Sequence, residues 1–278
     1  METSSQGLAK TEREFNLVRE RTDAPLGLQM FLRVLKQQER LDEVLEWILD
    51  GRTGFVATCV GDPAPISKRA HEAGVKHYHQ VGSLSEARRA VDGGADGLIV
   101  EGAESGGLRS RKSPHLMTLL QQVRAEVDVP IVAAGGIVDG RGMAAAFALG
   151  AEGVLMGTRF MSAAESPAHQ RWKQAIADTD ITLNIAQAHP EVTMRVVRTE
   201  LAEAVQRGDV PLDGNPYAGP FMEAFEKGRI DLAMVGAGES ATLVQQIKRV
   251  ADIIDDTVTG FWREIERLAG LLKPTTPQ

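Results

Sequence analysis

Hydrophobic positions in this chain fall into short runs, and the polar stretches between them repeat at helical spacing. Residues 98–100 (Leu-Ile-Val), 131–134 (Ile-Val-Ala-Ala) and 154–156 (Val-Leu-Met) are apolar runs, each followed within two residues by glycine. Roughly 25 to 35 residues separate one run from the next, the length of a βα unit. Upstream, residues 26–32, 55–60 and 75–81 read as strands on the same criterion. Helical patterns lie between them. Residues 11–21 place Phe15, Leu17 and Val18 at helical spacing, 41–50 are amphipathic and close at Gly51, and 65–73 run into Gly74. Ser83 and Glu86 form a capping box for a helix that ends at Gly93-Gly94. Residues 115–127 and 139–150 complete the series, the last with an acidic cap and a glycine stop. This alternation predicts an α/β fold built on a parallel sheet.

Six such strands are two short of a closed (βα) barrel, which needs eight. Beyond Phe160 the pattern turns helical. It predicts helices from Ser166-Pro167 to about residue 176, from Pro190 to about 206, and over 221–227, with a turn-rich loop over 209–220. After Gly236-Ala-Gly-Glu-Ser240 a helix is expected from about residue 242 to 272. The chain accordingly divides into a partial barrel, residues 1–178, and a helical C-terminal segment, 179–278, packing on it.

Composition narrows the function. With 278 residues and 43% apolar content there is enough chain for a sizeable core. A net charge of −7 argues against nucleic acid or an anionic membrane surface as the main partner. Cys59, the only cysteine, excludes an internal disulfide, and no Cys/His cluster has zinc-site spacing. The N-terminal residues lack signal-peptide character and no apolar run approaches about 18 residues, so a cytoplasmic protein is expected.

Candidate chemistry gathers where the strands end. Gly106-Gly107, Gly135-Gly136 and Gly157-Thr158 follow successive strands, and the carboxyl ends of parallel strands are where such sheets bind ligands. Backbone N–H groups without side chains in the way suit a phosphate. One glycine pair marks a turn as readily as a site; three at consecutive strand ends favour a site. No Gly-x-Gly-x-x-Gly dinucleotide fingerprint follows an early strand.

Three stretches carry a resemblance: Glu101-Gly-Ala-Glu-Ser-Gly-Gly107; Val129-Pro-Ile-Val-Ala-Ala-Gly-Gly-Ile137 with Asp139-Gly140; and Met156-Gly-Thr-Arg-Phe160 with Glu165-Ser-Pro-Ala-His169. They resemble the nitronate monooxygenase family, which includes flavin-dependent enoyl-ACP reductases and NADH:quinone reductases. The likeness is dense over residues 11–173 and thinner to about 254. It implies a TIM-barrel type of fold, here lacking the first two βα units, and FMN as cofactor. By resemblance Ala134, Gly135, Gly136, Gly157 and Thr158 contact the phosphate, with Gly106 and Gly107 beside them. Gln29 and Gln80 are expected near the flavin ring, or as plain strand-end polar residues, and the segment containing Gly236 and Gly238 is expected to line the pocket or to form a helix-entry turn. Arg159 suits either a phosphate or an internal ion pair, while Glu101 and Glu104 are expected to anchor their loop.

Leu108 departs from the family, whose typical members carry histidine after the glycine pair. A hydrocarbon side chain neither moves a proton nor stabilises an oxyanion. The catalytic residue is therefore unknown, with His115 the candidate substitute and His77, His79, Arg109, Arg111 and Lys112 as further groups that could border the rim. The leading expectation is FMN-dependent oxidation of a small nitronate with oxygen. The alternatives are a flavin oxidoreductase acting on an unsaturated acyl-CoA or acyl-ACP thioester, to which the basic 109–112 stretch could bind, and a flavin-binding protein without turnover. NAD(P)H or oxygen is the expected redox partner, and a homo-oligomer is an option.

Overall fold

The computed structural model describes residues 7–186, 192–211 and 220–271. In chain order the elements are α1 (Leu8–Arg19), β1 (Gly27–Phe31), α2 (Leu32–Gln37), α3 (Leu41–Leu49), β2 (Phe55–Cys59), α4 (Ala64–Glu72), β3 (Lys76–Val81), α5 (Leu84–Asp92), β4 (Gly97–Glu101), β5 (Gly107–Ser110), α6 (Leu116–Arg124), β6 (Ile131–Ala134), α7 (Gly140–Ala148), β7 (Gly153–Leu155), α8 (Gly157–Met161), α9 (Gln170–Ala177), β8 (Thr182–Ala186), β9 (Val192–Val197), α10 (Glu200–Arg207), α11 (Pro220–Lys227) and α12 (Val250–Ala269). The fold is α/β, and each of the six strands read from periodicity is present as β1, β2, β3, β4, β6 or β7. The chain forms two compact units, one of residues 1–100 and 122–132, the other of residues 101–121 and 133–278.

In the first unit β1 to β4 run parallel in sequence order, with Leu28 opposite Val56 and Thr58 opposite His79. Alternation sets which side is buried: Leu28 and Met30 of β1 are sealed, and so are His77, His79 and Val81 of β3, while Gln29 and Gln80 are half-buried. Leu28, Met30, Leu32, Val56 and Ile66 meet Leu35, Val44, Leu45 and Ile48 from α2 and α3 in one core. Gly27 and Gly97 are glycine because rings from the neighbouring strand lie over them: a Cβ would fall 2.0 Å from the Phe55 ring and 2.3 Å from that of Tyr78. Ser83 caps α5 by accepting from the Glu86 amide at 3.3 Å, and the Glu86 carboxylate accepts from the Gly82 amide at 2.7 Å.

The second unit corrects the expected helical segment over 179–278. It contains an antiparallel sheet in the order β5-β9-β8, with Leu108 opposite Met194. Residues 192–197 (Val-Thr-Met-Arg-Val-Val) are strand where a helix was expected, because β-branched side chains dominate the run and pair across two neighbours. Pro190 lies outside the described residues, as does much of the 209–220 loop. The helix starts only at Glu200, where Thr199 accepts from the Ala202 amide, and it ends at left-handed Gly208. α9 likewise begins at Gln170, and Glu239–Leu243 is a short 3₁₀ turn ahead of α12. Two apolar clusters hold the unit. Trp172, Ile176, Val235 and Val244 anchor one; Ile185, Met194, Val196 and Met234 anchor the other. α7 and α12 touch backbone to backbone, since a Cβ on Gly140 would sit 2.1 Å from the Phe261 nitrogen. Among the described residues no helix is long and apolar enough to cross a membrane.

Candidate active site

Three strand ends of the second unit open onto one cavity of about 250 Å³: Glu101 closes β4, Ala134 closes β6, and Leu155 closes β7. Ser105, Gly106 and Gly107 line it after the first strand, Gly135 to Ile137 after the second, Gly157 and Thr158 after the third. Gly135 and Gly136 have φ of 101° and 72°, left-handed geometry that favours glycine. Among the described residues their amide N–H groups donate to no protein atom. Two successive bare amides beside a cavity form a concavity suited to anionic oxygen. At Gly157 an added Cβ would meet nothing within 4 Å, so the space there belongs to the cavity and not to a neighbouring side chain.

Other glycines answer to packing. A Cβ on Gly106 would lie 2.4 Å from the Gly238 nitrogen, and one on Gly238 would lie 2.8 Å from the Glu104 carbonyl oxygen. The two backbones approach closely, and the Glu239 amide donates to the Glu104 carbonyl at 2.9 Å. Gly236, Ala237 and Gly238 thereby become cavity wall. Thr158 holds that wall in place, its hydroxyl oxygen accepting from the Gly238 amide at 2.9 Å. The hydroxyl proton remains available for an acceptor.

Among the described residues that line the cavity, Glu101 is the one ionisable side chain. Behind it stand two buried arginines. Arg195 pairs with Glu239 at 2.9 Å and donates to the Ala103 carbonyl at 3.1 Å, and Arg109 donates to Asn184. Burial, followed by the charge of Arg195, lowers the Arg109 pKa, while Glu101, Glu239 and Glu104 oppose the shift. Glu104 anchors its loop by accepting from the Leu116 amide through both carboxylate oxygens. Ser105 Oγ and Trp172 Nε1 have no partner among the described residues, although Ser105 is 7% and Trp172 1% exposed and both residues line the cavity.

The histidine question changes character here. Leu108 packs against the Ile185, Met194 and Val196 cluster as a structural residue of β5 and is not among the cavity-lining residues. His115 is 64% exposed at its side chain, 3.6 Å from Glu104, and is also outside the lining. Arg159 turns to the Gln246 carbonyl at 2.9 Å, so neither a phosphate in this cavity nor an ion pair with Glu101 or Glu152 engages it. Of the basic 109–112 stretch, Arg109 is buried within β5, while Arg111 and Lys112 are exposed in the turn that follows it.

The remaining residues singled out in the sequence belong to the first unit. Gln29 donates to the Gln80 side-chain oxygen at 3.0 Å. His77 and His79 form a sealed relay: Ser67 Oγ donates to the Pro63 carbonyl at 3.3 Å and lies 2.7 Å from His77 Nδ1, while Thr58 Oγ1 lies 2.6 Å from His77 Nε2 and 2.7 Å from His79 Nδ1. With the Ser67 proton committed to Pro63, His77 donates from Nδ1, Thr58 donates to His77 Nε2, and His79 donates from Nδ1. Burial above all pushes both rings down to about 4, so both are neutral near pH 7. Ser105, Trp172 and Arg195 were not anticipated. A serine inside a glycine-rich loop and an aromatic on an amphipathic helix carry no signal that separates a pocket wall from a core.

Parallel strand ends that feed glycine-rich turns into one cavity define the class: an α/β protein whose cavity lies at the carboxyl ends of its strands. The family model for nitronate monooxygenase matches residues 5–260, and the chain belongs to that family, a family of oxidoreductases. A probable nitronate monooxygenase of Staphylococcus saprophyticus is 29% identical over 243 residues, 81% of this chain and 67% of that protein. A (3aS,4S,5R,7aS)-5-hydroxy-7a-methyl-1-oxo-octahydro-1H-indene-4-carboxyl-CoA dehydrogenase of Mycobacterium tuberculosis is 32% identical over 193 residues, 67% of this chain and 52% of that protein. The chain thus spans between half and two thirds of these curated relatives. Among solved structures, FabK from Thermotoga maritima superposes with a TM-score of 0.86 at 33% identity, covering 96% of this chain and 85% of that one.

Proposed function

We propose that this chain is an FMN-dependent oxidoreductase that oxidises a small nitronate with oxygen. The observation that carries the reading is the second-unit cavity, where the free amides of Gly135 and Gly136 and the open space at Gly157 fit a phosphate. Thr158 has a hydroxyl proton to donate and Ser105 an unpartnered hydroxyl. These are the residues that would grip the FMN phosphate, with Ala134 and Gly107 alongside. FMN would supply the redox chemistry, accepting reducing equivalents from the substrate and passing them to oxygen. The six parallel strands are read as part of a TIM-barrel frame.

The choice of nitronate over neutral nitroalkane follows from the lining. Deprotonating a nitroalkane needs a positioned base. Among the described residues no histidine lines this cavity: Leu108 packs into a core cluster and His115 faces solvent, while His189 lies outside the described residues. A nitronate is already deprotonated and leaves the protein only binding, orientation and exclusion of water to perform. Oxygen consumption by the FMN-saturated protein tests this: turnover is expected with a small alkyl nitronate and at least about a hundredfold less with the parent nitroalkane, the size of a general-base contribution. Equal rates would defeat the reading. A second reading, reduction or oxidation of an acyl-CoA thioester, draws on the carboxyl-CoA dehydrogenase relative. Turnover with crotonyl-CoA and none with nitronate would select it. A folded protein that turns over neither would leave a flavin-binding role.

A further inference from the structure

The short helix α8 faces two cavities. Gly157, Thr158 and Met161 line the one described above, while Arg159 lines a second, of about 280 Å³, together with Val138, Gln246, Lys248 and Asp256. Arg159 is 6% exposed. Its Nη1 donates to the Gln246 carbonyl at 2.9 Å and to Ser162 Oγ at 3.4 Å; its Nε and Nη2 have no protein partner among the described residues. A guanidinium keeps its charge and carries five donors in a planar fork, so the edge of Arg159 without a protein partner, at the wall of the cavity, offers two donors to an acceptor there. Lys248 Nζ sits 2.7 Å from Asp256 and has further protons to give. Asp139, also in the lining, is committed to the Arg141 and Gly142 amides and to the Arg141 guanidinium. Asp139 is paired with Arg141, and Asp256 is shared: it pairs with Lys248 and also attracts Arg159, so the three cations of this cluster outnumber its two carboxylates.

We propose that this second cavity is a binding site for a small oxyanion, a phosphate or carboxylate group, held by Arg159 Nε and Nη2 and by Lys248 Nζ. Two oxygens of such a group match the free edge of the guanidinium fork. The site is separate from the proposed flavin pocket. Because α8 carries residues of both, an anion at Arg159 would stiffen the turn that presents Gly157 and Thr158, coupling the two occupancies through one element.

Thermal unfolding of the full chain with inorganic phosphate, and in parallel with acetate, against chloride at equal ionic strength tests the proposal. Phosphate or acetate should raise Tm, with the more effective anion naming the preferred group. In the Gly157→Leu background, whose first cavity is filled, Lys248→Met should weaken the effect about tenfold in anion concentration, the loss of one charge-assisted hydrogen bond, and Arg159→Gln should abolish it. Lys248 is 39% exposed, so its variant carries the test even where Arg159→Gln does not fold. Gly157→Leu alone, which fills the first cavity, should retain a rise that depends on Arg159 and Lys248. No rise in the wild type would overturn the proposal. So would a rise that survives Lys248→Met and vanishes in Gly157→Leu, which would put the anion in the first cavity. A failure of FMN to bind would leave the outcome of this test unchanged.

Discussion

The two units treat buried polar groups in opposite ways. In the first, Thr58 links His77 and His79, and Ser67 completes the chain to the Pro63 carbonyl; Thr11 Oγ1 is the buried exception without a partner. In the second, among the described residues, Ser105 Oγ, Trp172 Nε1 and the Nε atoms of Arg109 and Arg195 lack partners, and Ser105 and Trp172 belong to a cavity wall. Buried polar groups are nearly always paired, so unpaired ones in a cavity wall leave donors that a ligand can meet, while a closed network serves the scaffold. Histidines at a strand end invite a catalytic reading; here their pairing makes them part of the scaffold.

The largest expected effect breaks the first unit with acid. His77 and His79 titrate near 4 when folded and near 6.5 when unfolded, so the unfolded chain binds more protons between those values. Their contribution is whole above pH 6.5 and is lost as pH falls toward 4. It amounts to roughly 3 kcal/mol per ring at pH 4. Urea denaturation between pH 7 and 4 measures it, and Thr58→Val should lower stability at pH 7 by about 2 kcal/mol by orphaning both rings. A flat stability profile would mean the rings are not sealed.

Next comes Leu108→His. Because Leu108 packs against Ile185, Met194 and Val196, an imidazole there should cost about 2 kcal/mol in denaturation without conferring turnover on neutral nitroalkanes. Restored nitroalkane activity would show that position 108 reaches the substrate after all. The smallest effect separates a cap from a ligand group: Asp139→Ala removes the N-cap of α7 and should cost about 1 kcal/mol, with FMN affinity unchanged.

Strand periodicity and glycine stops made β1, β2, β3, β4, β6 and β7 legible, because each strand is a local apolar run bounded by turn residues. The sheet of β5, β8 and β9 was not, since residues 107–110 and 192–197 become strands by pairing with each other across more than eighty residues of chain. The glycine-rich turns could be placed at strand ends from sequence, but not sorted by role. Gly106 and Gly238 make room for backbone, Gly136 also sits 3.0 Å from Glu104 where a Cβ would fall, and Gly157 alone of these faces open space. Direction was equally hidden at Arg159 and Leu108, whose neighbours come from the segment around residue 246 and from β8 and β9.

That sorting selects the decisive measurement, an FMN titration of the wild-type chain and of Gly157→Leu followed by flavin fluorescence. Because nothing occupies the space beside Gly157, the leucine should leave the denaturation midpoint of the protein without flavin nearly unchanged while it blocks the phosphate. Saturable FMN binding in the wild type and affinity at least about tenfold weaker in Gly157→Leu, roughly 1.4 kcal/mol, is the predicted result. Equal affinities in two folded proteins would contradict the placement of the flavin phosphate at the Gly135, Gly136 and Gly157 rim.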